Sequence, residues 1–237
     1  MNRTSSPIRA IPAILALLVF AGGTPAEVLA QREARDDEYA VNDVRVQHRS
    51  YVMEETGETI PYALFVPSGY DPSTPSPLMV SLHGAGRQFD WLMNYAGFLD
   101  LADQHGYVVV TPLGYTRRGG YGYRGDSEQD RRAEQDVMNV FELVTKELNI
   151  DENRIYATGG SNGGKFSYRV AIELSDRIAG IAAFSATLEV GAECGMPTAP
   201  VPTMIVNGTM DPILIASGVA GVLTAQTSTE DTVAYWR

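Results

Sequence analysis

The chain has 237 residues, of which 44% are hydrophobic and 20% are charged, and its formal net charge is −11. This length suits one α/β domain with a sizeable core and is short for two domains. The negative charge repels phosphate backbones and anionic lipid, so we expect neither nucleic-acid binding nor stable membrane association. Neutral small molecules and polymers remain compatible as substrates.

The first thirty residues have the layout of a secretory signal. Arg3 and Arg9 precede an apolar run over residues 11–21, and the small-residue pattern that ends at Ala30 follows. The run is shorter than the roughly 20 residues of a membrane-spanning helix. We therefore predict a signal peptide over residues 1–30, a domain over residues 31–237, and export to the periplasm or the medium. Cys194 is the single cysteine, which is unusual in an oxidising compartment.

The alternating segment Val44–His48 predicts a half-buried strand. The next two segments, Tyr51–Glu54 and Ile60–Pro67, predict an antiparallel hairpin. Short apolar runs typical of strands buried on both faces follow at Leu78–Leu82, Tyr107–Thr111, Arg154–Thr158, Gly180–Phe184 and Thr203–Val206. Helical segments are predicted between them at Phe98–His105, Ala133–Leu148 and Gly163–Leu174. This alternation predicts an α/β fold with a mostly parallel sheet and helices on both faces.

A G-x-S-x-G motif joins the predicted strand at residues 154–158 to the helix that follows. In Gly159-Gly-Ser161-Asn-Gly163, the outer glycines let the backbone turn sharply so that the serine hydroxyl projects. The motif predicts that Ser161 is a nucleophile. The alternative is a glycine-rich turn that forms an anion nest at a helix N-terminus.

A serine nucleophile needs backbone N–H groups that hold the oxyanion of the tetrahedral intermediate. The N–H of Asn162, directly after the serine, is one predicted donor. The second is predicted in the loop after the strand at residues 78–82, at Ala85 or alternatively at Gly86. His83 begins this loop, and we interpret it as a residue that shapes the loop, because the base follows the nucleophile in α/β-hydrolases.

Asp211 is the predicted triad acid, because it ends the turn after the strand at residues 203–206. A plain Asp-Pro turn is the alternative. The three histidines, His48, His83 and His105, all precede Ser161. Either the chain is a truncated enzyme or it is a pseudoenzyme without its base, and in both cases we expect little triad catalysis from residues 1–237. No metal or organic cofactor is expected, because no His, Cys or carboxylate cluster has ligand spacing.

Several motifs of the chain match one known family. The chain resembles the secreted α/β-hydrolase esterases, which include polyhydroxybutyrate depolymerase-like and feruloyl or acetylxylan esterase-like enzymes. The resemblance rests on residues 82–84, 105–112, 134–137, 150–156, 159–164, 208–211 and 235–236. It implies an α/β-hydrolase fold. It also implies an enzyme that hydrolyses polyester, feruloyl or acetyl esters through an acyl-enzyme.

The same resemblance implies that the last strand, the catalytic histidine and a partner for Cys194 lie beyond Arg237. Asp136 is expected to contact the N-terminus of the long helix rather than to act in catalysis. Aromatic residues in loops are expected to border the substrate pocket, with partly buried loop packing as the alternative: Trp91, Tyr95, Tyr115, Tyr121 and Tyr123. Two other functions remain open, a serine peptidase with the same residues and a non-catalytic carbohydrate-binding domain.

Overall fold

A computed structural model of the chain describes residues 40–114, 120–121, 128–189, 195–215 and 227–237. The predicted signal peptide, Tyr115, Tyr123 and Cys194 lie outside these residues. Within the described ranges, no helix combines the length and apolar composition that a bilayer crossing requires.

A seven-stranded sheet forms the centre of the described domain. Its strands are β1 (Val46–Val52), β2 (Thr59–Phe65), β3 (Ser76–Leu82), β4 (Val108–Pro112), β5 (Ile150–Gly160), β6 (Gly180–Phe184) and β7 (Thr203–Val206). The spatial order is β1-β2-β4-β3-β5-β6-β7. The pairs β1–β2 and β2–β4 are antiparallel, and the other pairs are parallel. The predicted fold class is confirmed.

Helices cover both faces of the sheet. They are α1 (Phe98–Gln104), α2 (Glu128–Glu147), α3 (Asn162–Glu173), α4 (Pro212–Ile215) and α5 (Thr229–Tyr235), with a 3₁₀ turn at Trp91–Asn94. One core cluster joins α2 and α3 to β3, β5 and β6 through residues such as Val140, Phe166 and Ile181. A second cluster on the other face joins α1 to β2 and β4 through Leu99 and Val109. Central strands buried on both faces explain the continuous apolar runs in the sequence.

The structure extends two predicted elements. β1 is one continuous strand, because its ladder with β2 runs unbroken from Val46 opposite Phe65 to Val52 opposite Thr59. α2 begins at Glu128 rather than at Ala133, since its first turn is polar and carries no apolar periodicity. The segment that starts at Ser228 has the sequence of a capped helix, and the structure contains the cap: the Ser228 hydroxyl accepts a hydrogen bond from the Asp231 N–H at 2.9 Å.

Asp136 lies in the interior of α2, which corrects the expectation that it stands at the helix N-terminus. Its carboxylate is fully buried. It accepts hydrogen bonds from the Tyr51 hydroxyl at 2.7 Å and from the Gly114 N–H at 2.6 Å. It therefore ties α2 to β1 and to the loop after β4. Burial raises the pKa of Asp136 to about 7, against hydrogen bonds from Tyr51 and Gly114 and the charge of Arg132, which all lower it.

We expect Asp136 to make stability fall as pH rises from about 4, its ordinary pKa, to about 7. In this window the folded chain keeps a proton that the unfolded chain has released, so rising pH favours unfolding. The measurement is the free energy of unfolding in urea from pH 4 to 8 for the parent and for Asp136→Asn. The difference between the two should move in favour of the variant as pH rises. Glu173, whose pKa burial also raises, is common to both chains, so a pH-independent difference would refute the assignment.

Candidate active site

Loops diverge at the carboxyl ends of β3 and β5, which are neighbours at the centre of the sheet. The chain passes from β3 to β4 on one side and then crosses to β5 on the other side of β3. Ligands of open α/β sheets bind at such a switch point, beyond the carboxyl ends of the strands. Gly84 and Ala85 follow β3, and Ser161 follows β5, so the topology brings the predicted nucleophile and the predicted oxyanion loop to this point.

Ser161 has a strained backbone. Its φ of 55° and ψ of −114° lie outside the regions that residues with a side chain usually adopt. The Ser161 N–H donates to the Phe184 carbonyl at 2.8 Å, and the Ser161 carbonyl accepts from the Lys165 N–H at 3.0 Å. These bonds fix the turn between β5 and α3, and Ser161 itself is exposed. Strain that the surrounding structure maintains in this way is concentrated at functional sites.

Close backbone packing holds this turn against the loop after β3. A methyl group on Gly84 would lie 3.3 Å from the Gly160 carbonyl oxygen and 3.7 Å from Cβ of Ser161. A methyl group on Gly163 would meet the carbonyl groups of Leu82 and His83. The missing side chains therefore let the two loops touch, which places the backbone of residues 84 and 85 beside the serine.

A cavity of about 800 Å³ opens in front of Ser161. One continuous stretch of chain supplies one side of it, with Gly84, Ala85, Arg87, Trp91, Leu92, Tyr95 and Phe98. The ends and faces of strands supply the other side, with Met79, Ser81, Thr158, Gly160, Ala182, Phe184 and Ser185. The volume lies within the range of small-ligand sites. Trp91 and Tyr95, both predicted to border the pocket, line it.

Asn162 is clamped to the chain between β4 and α2. Its side-chain oxygen accepts from the Tyr121 N–H at 2.5 Å, and its side-chain nitrogen donates to the Tyr121 carbonyl at 2.8 Å. The pair of bonds holds the first residue of α3, whose N–H is the predicted oxyanion donor. Gly120 allows the approach, because a methyl group there would collide with the Asn162 side chain.

The prediction that Tyr121 borders the substrate pocket is corrected by its burial. Its side chain is 1% exposed, and its ring stacks on Phe166 at 5.1 Å and packs on His83 at 4.8 Å. Its hydroxyl donates to the Pro112 carbonyl at 2.9 Å. The alternative interpretation, packing within the loop, fits Tyr121 better, because the contacts around Asn162 turn this ring into the core.

None of the three histidines contacts Ser161 through a hydrogen bond. His83 is fully buried, with its ring nitrogens 2.9 Å from the carbonyl oxygens of Gly84 and Leu113. Burial lowers the pKa of His83, against the contacts with the Leu113 and Gly84 carbonyl groups, which raise it. His48 pairs with the buried carboxylate of Asp90, and His105 ends α1. The position of His83 supports the interpretation that it shapes the oxyanion loop.

Asp211 lies on the same edge of the sheet as Ser161. It follows β7, which is separated from β5 by β6, and it begins α4. Its N–H donates to the Gly208 carbonyl at 3.1 Å, and its carboxylate accepts from the Leu214 N–H at 3.4 Å. The side chain is partly exposed. This position beyond a parallel strand fits a triad acid.

Comparisons with known proteins agree with this architecture. No protein-family model matches the chain. The chain is 34% identical over 160 residues to a bifunctional acetylxylan esterase/xylanase of Neocallimastix patriciarum, covering 68% of this chain and 22% of that protein. It is 29% identical over 172 residues to feruloyl esterase C of Emericella nidulans, covering 70% and 59%. A thermostable esterase structure matches with a TM-score of 0.54 and 24% identity, over 81% of this chain and 50% of that one.

The chain has the α/β-hydrolase fold and is similar in sequence to these esterases. It spans less than two thirds of the length of each of these relatives. Within the residues that the structure of this α/β-hydrolase describes, no group of three or more His, Cys, Asp or Glu residues could hold a metal ion.

Arg87 and Ser185 are among the residues that line the cavity without having been predicted as site residues from sequence. Arg87 follows the oxyanion loop. The signal that could have indicated its role is a lone basic residue close to two glycines in an acidic chain. Ser185 follows β6 and has a φ of 48°, the other positive φ at a non-glycine residue among the described residues. Nothing in the sequence marks Ser185, because its strain follows from the position of β6 beside β7, where its N–H donates to the Val206 carbonyl at 2.9 Å.

Proposed function

We propose that this chain carries the nucleophile and oxyanion site of a serine hydrolase that cleaves carboxylic esters through an acyl-enzyme. The observation that carries the proposal is the strained turn at Ser161, which lies at the switch point of the sheet and lines the cavity. The esterase relatives support the ester as the reacting group. Feruloyl or acetyl groups on a polysaccharide are the proposed substrates, because the first relatives are named for them.

In the proposed reaction, the Ser161 hydroxyl attacks the ester carbonyl and loses its proton to a general base. The N–H of Asn162 and the N–H of Ala85 or Gly86 stabilise the oxyanion. The alcohol leaves with the proton from the base, and water then releases the acid from Ser161. The Asn162 clamp and the glycine contacts hold the donors in place before substrate arrives, so they need no rearrangement during the reaction.

The base in this scheme is a histidine that Asp211 orients. None of His48, His83 and His105 has a hydrogen bond to Ser161, so the proposed triad takes its histidine from outside residues 1–237. The test is hydrolysis of p-nitrophenyl acetate and methyl ferulate by the longest natural polypeptide that contains this sequence. Turnover that depends on Ser161 supports the proposal, and turnover that does not would refute it.

We also propose that the protein is exported. This proposal rests on residues 1–30, where charged, apolar and small-residue segments follow one another as in a signal peptide. We expect the mature protein to begin at Gln31. N-terminal sequencing of protein recovered from the periplasm or the medium after expression with its own leader checks this. Recovery only from the cytoplasm, with Met1 or Asn2 at its N-terminus, would contradict it.

A further inference from the structure

Arg87 is the one charged residue among the described residues that line the cavity. It lies next to the nucleophile: a methyl group on Gly84 would be 3.7 Å from Cβ of Ser161 and 3.9 Å from Cγ of Arg87. Both side chains therefore flank the same glycine of the oxyanion loop. A ligand group that contacts Arg87 can belong to the same small molecule as the group that reaches Ser161.

The Arg87 side chain is held in place by an aromatic ring. Its guanidinium carbon lies 4.8 Å from the centroid of the Trp91 ring, a cation–π arrangement. Trp91 is in turn supported by Tyr95, with ring centroids 5.0 Å apart in an edge-on packing. Contact with a ring face leaves the N–H edges of a guanidinium available for hydrogen bonds. The Arg87 guanidinium is therefore held by Trp91 and still has N–H donors for a ligand.

No carboxylate among the described residues pairs with Arg87. Other described arginines do have acidic partners: Arg45, Arg49, Arg132, Arg154, Arg169 and Arg177. The chain as a whole carries a formal charge of −11, so an arginine without an acidic partner beside an apolar cavity is exceptional.

We propose that Arg87, Trp91 and Tyr95 form a binding site for a carboxylate attached to a ring. The guanidinium holds the carboxylate through paired N–H donors. Tyr95, which is 54% exposed, offers its ring to the ring of the ligand. The carboxylate comes from an acidic sugar of the substrate or from the aromatic acid that ester cleavage releases. The second of these rests on the proposed function.

The test measures binding to the Ser161→Ala chain by isothermal titration calorimetry, so that no ester is consumed. Glucuronate is compared with its methyl ester, and ferulate with methyl ferulate, because each pair differs only in the charge and in one methyl group. We expect at least one acid to bind about tenfold more tightly than its ester, as charge-assisted hydrogen bonds imply. The pair that shows the preference identifies the source as an acidic sugar or a released acid.

Substitutions at Arg87 decide whether this residue causes the preference. Arg87→Gln should abolish it, and Arg87→Lys should retain part of it. Arg154→Gln is the matched control, because Arg154 pairs with Asp151 near the amino end of β5, far along the strand from Ser161, and should leave the preference intact. Equal binding of acid and ester in the parent, no binding of any of the four ligands, or a preference that survives Arg87→Gln would overturn the proposal. If the preference is found but the longest natural polypeptide shows no Ser161-dependent turnover, the esterase proposal is refuted and the binding site is kept.

Discussion

Replacing Ser161 with alanine is expected to lower ester hydrolysis by about 10⁴-fold or more in the longest natural polypeptide that contains this sequence. The alanine keeps the backbone turn and the cavity but removes the atom that forms the acyl-enzyme. Only the oxyanion donors and substrate binding then remain to accelerate the reaction. The measurement is kcat/KM for p-nitrophenyl acetate and methyl ferulate, with circular dichroism to show that the variant is folded.

Ser185→Ala is the matched control for this experiment. Ser185 also follows a parallel strand, has a positive φ and lines the same cavity, but it lies one strand away from the turn between β5 and α3. We expect its variant to retain activity within about tenfold of the parent, since it loses no bond to the reacting atoms. If both serine variants were equally impaired, or if neither were, Ser161 would not be the nucleophile.

The polypeptide of residues 1–237 gives a second control. None of its histidines has a hydrogen bond to Ser161, so we expect no turnover above that of Ser161→Ala in the same chain. Serine-dependent turnover from these residues alone would show that the base lies within residues 1–237. In that case Ser161 would remain the nucleophile, and the triad part of the proposal would be wrong.

Gly163→Ala should destabilise the fold by roughly 3 kcal/mol or prevent folding, because overpacking against backbone cannot be relieved by side-chain rotation. The new methyl group would collide with the Leu82 carbonyl and lie 2.6 Å from the His83 carbonyl oxygen. Gly163 is also the second residue of α3, where alanine would favour the helix by only about 1 kcal/mol. The steric effect is the larger of the two, so the net change is destabilising.

Gly160→Ala separates this collision from a general effect of replacing glycine near the site. A methyl group on Gly160 meets no atom within 4 Å, and the residue does not need a positive φ. We expect its free energy of unfolding in urea to stay within about 1 kcal/mol of the parent. Equal destabilisation by the two substitutions would mean that the contact between α3 and the loop after β3 does not hold the turn in place.

The sequence predicts the strands and the nucleophile turn because their signals are local. The G-x-S-x-G spacing, the apolar run before it and the amphipathic segment after it all lie within a short stretch around Ser161. The same holds for the cap at Ser228. Each of these features depends on the chemistry of residues that are neighbours in the chain, so a single sequence contains enough information to predict them.

Features that depend on contacts between distant segments were not predictable. The direction of the Tyr121 ring follows from a clamp to Asn162, 41 residues away. The role of Asp136 depends on Tyr51, which is 85 residues away in the chain. Arg87 is seen to face the cavity only when Trp91 and the loop after β5 are placed around it. In each case the sequence gives the residue type, and the tertiary contact gives it a role.

The wall of the cavity between Gly84 and Phe98 is unbroken in the chain, whereas Ser161 and Asp211 come from separate segments. One recombination event over this stretch would replace seven of the fifteen residues that line the cavity and leave the nucleophile turn untouched. Chains of this architecture can therefore change this part of the cavity in one step while Ser161 and its turn stay the same. The requirement is that the exchanged stretch keeps a glycine where Gly84 contacts the turn.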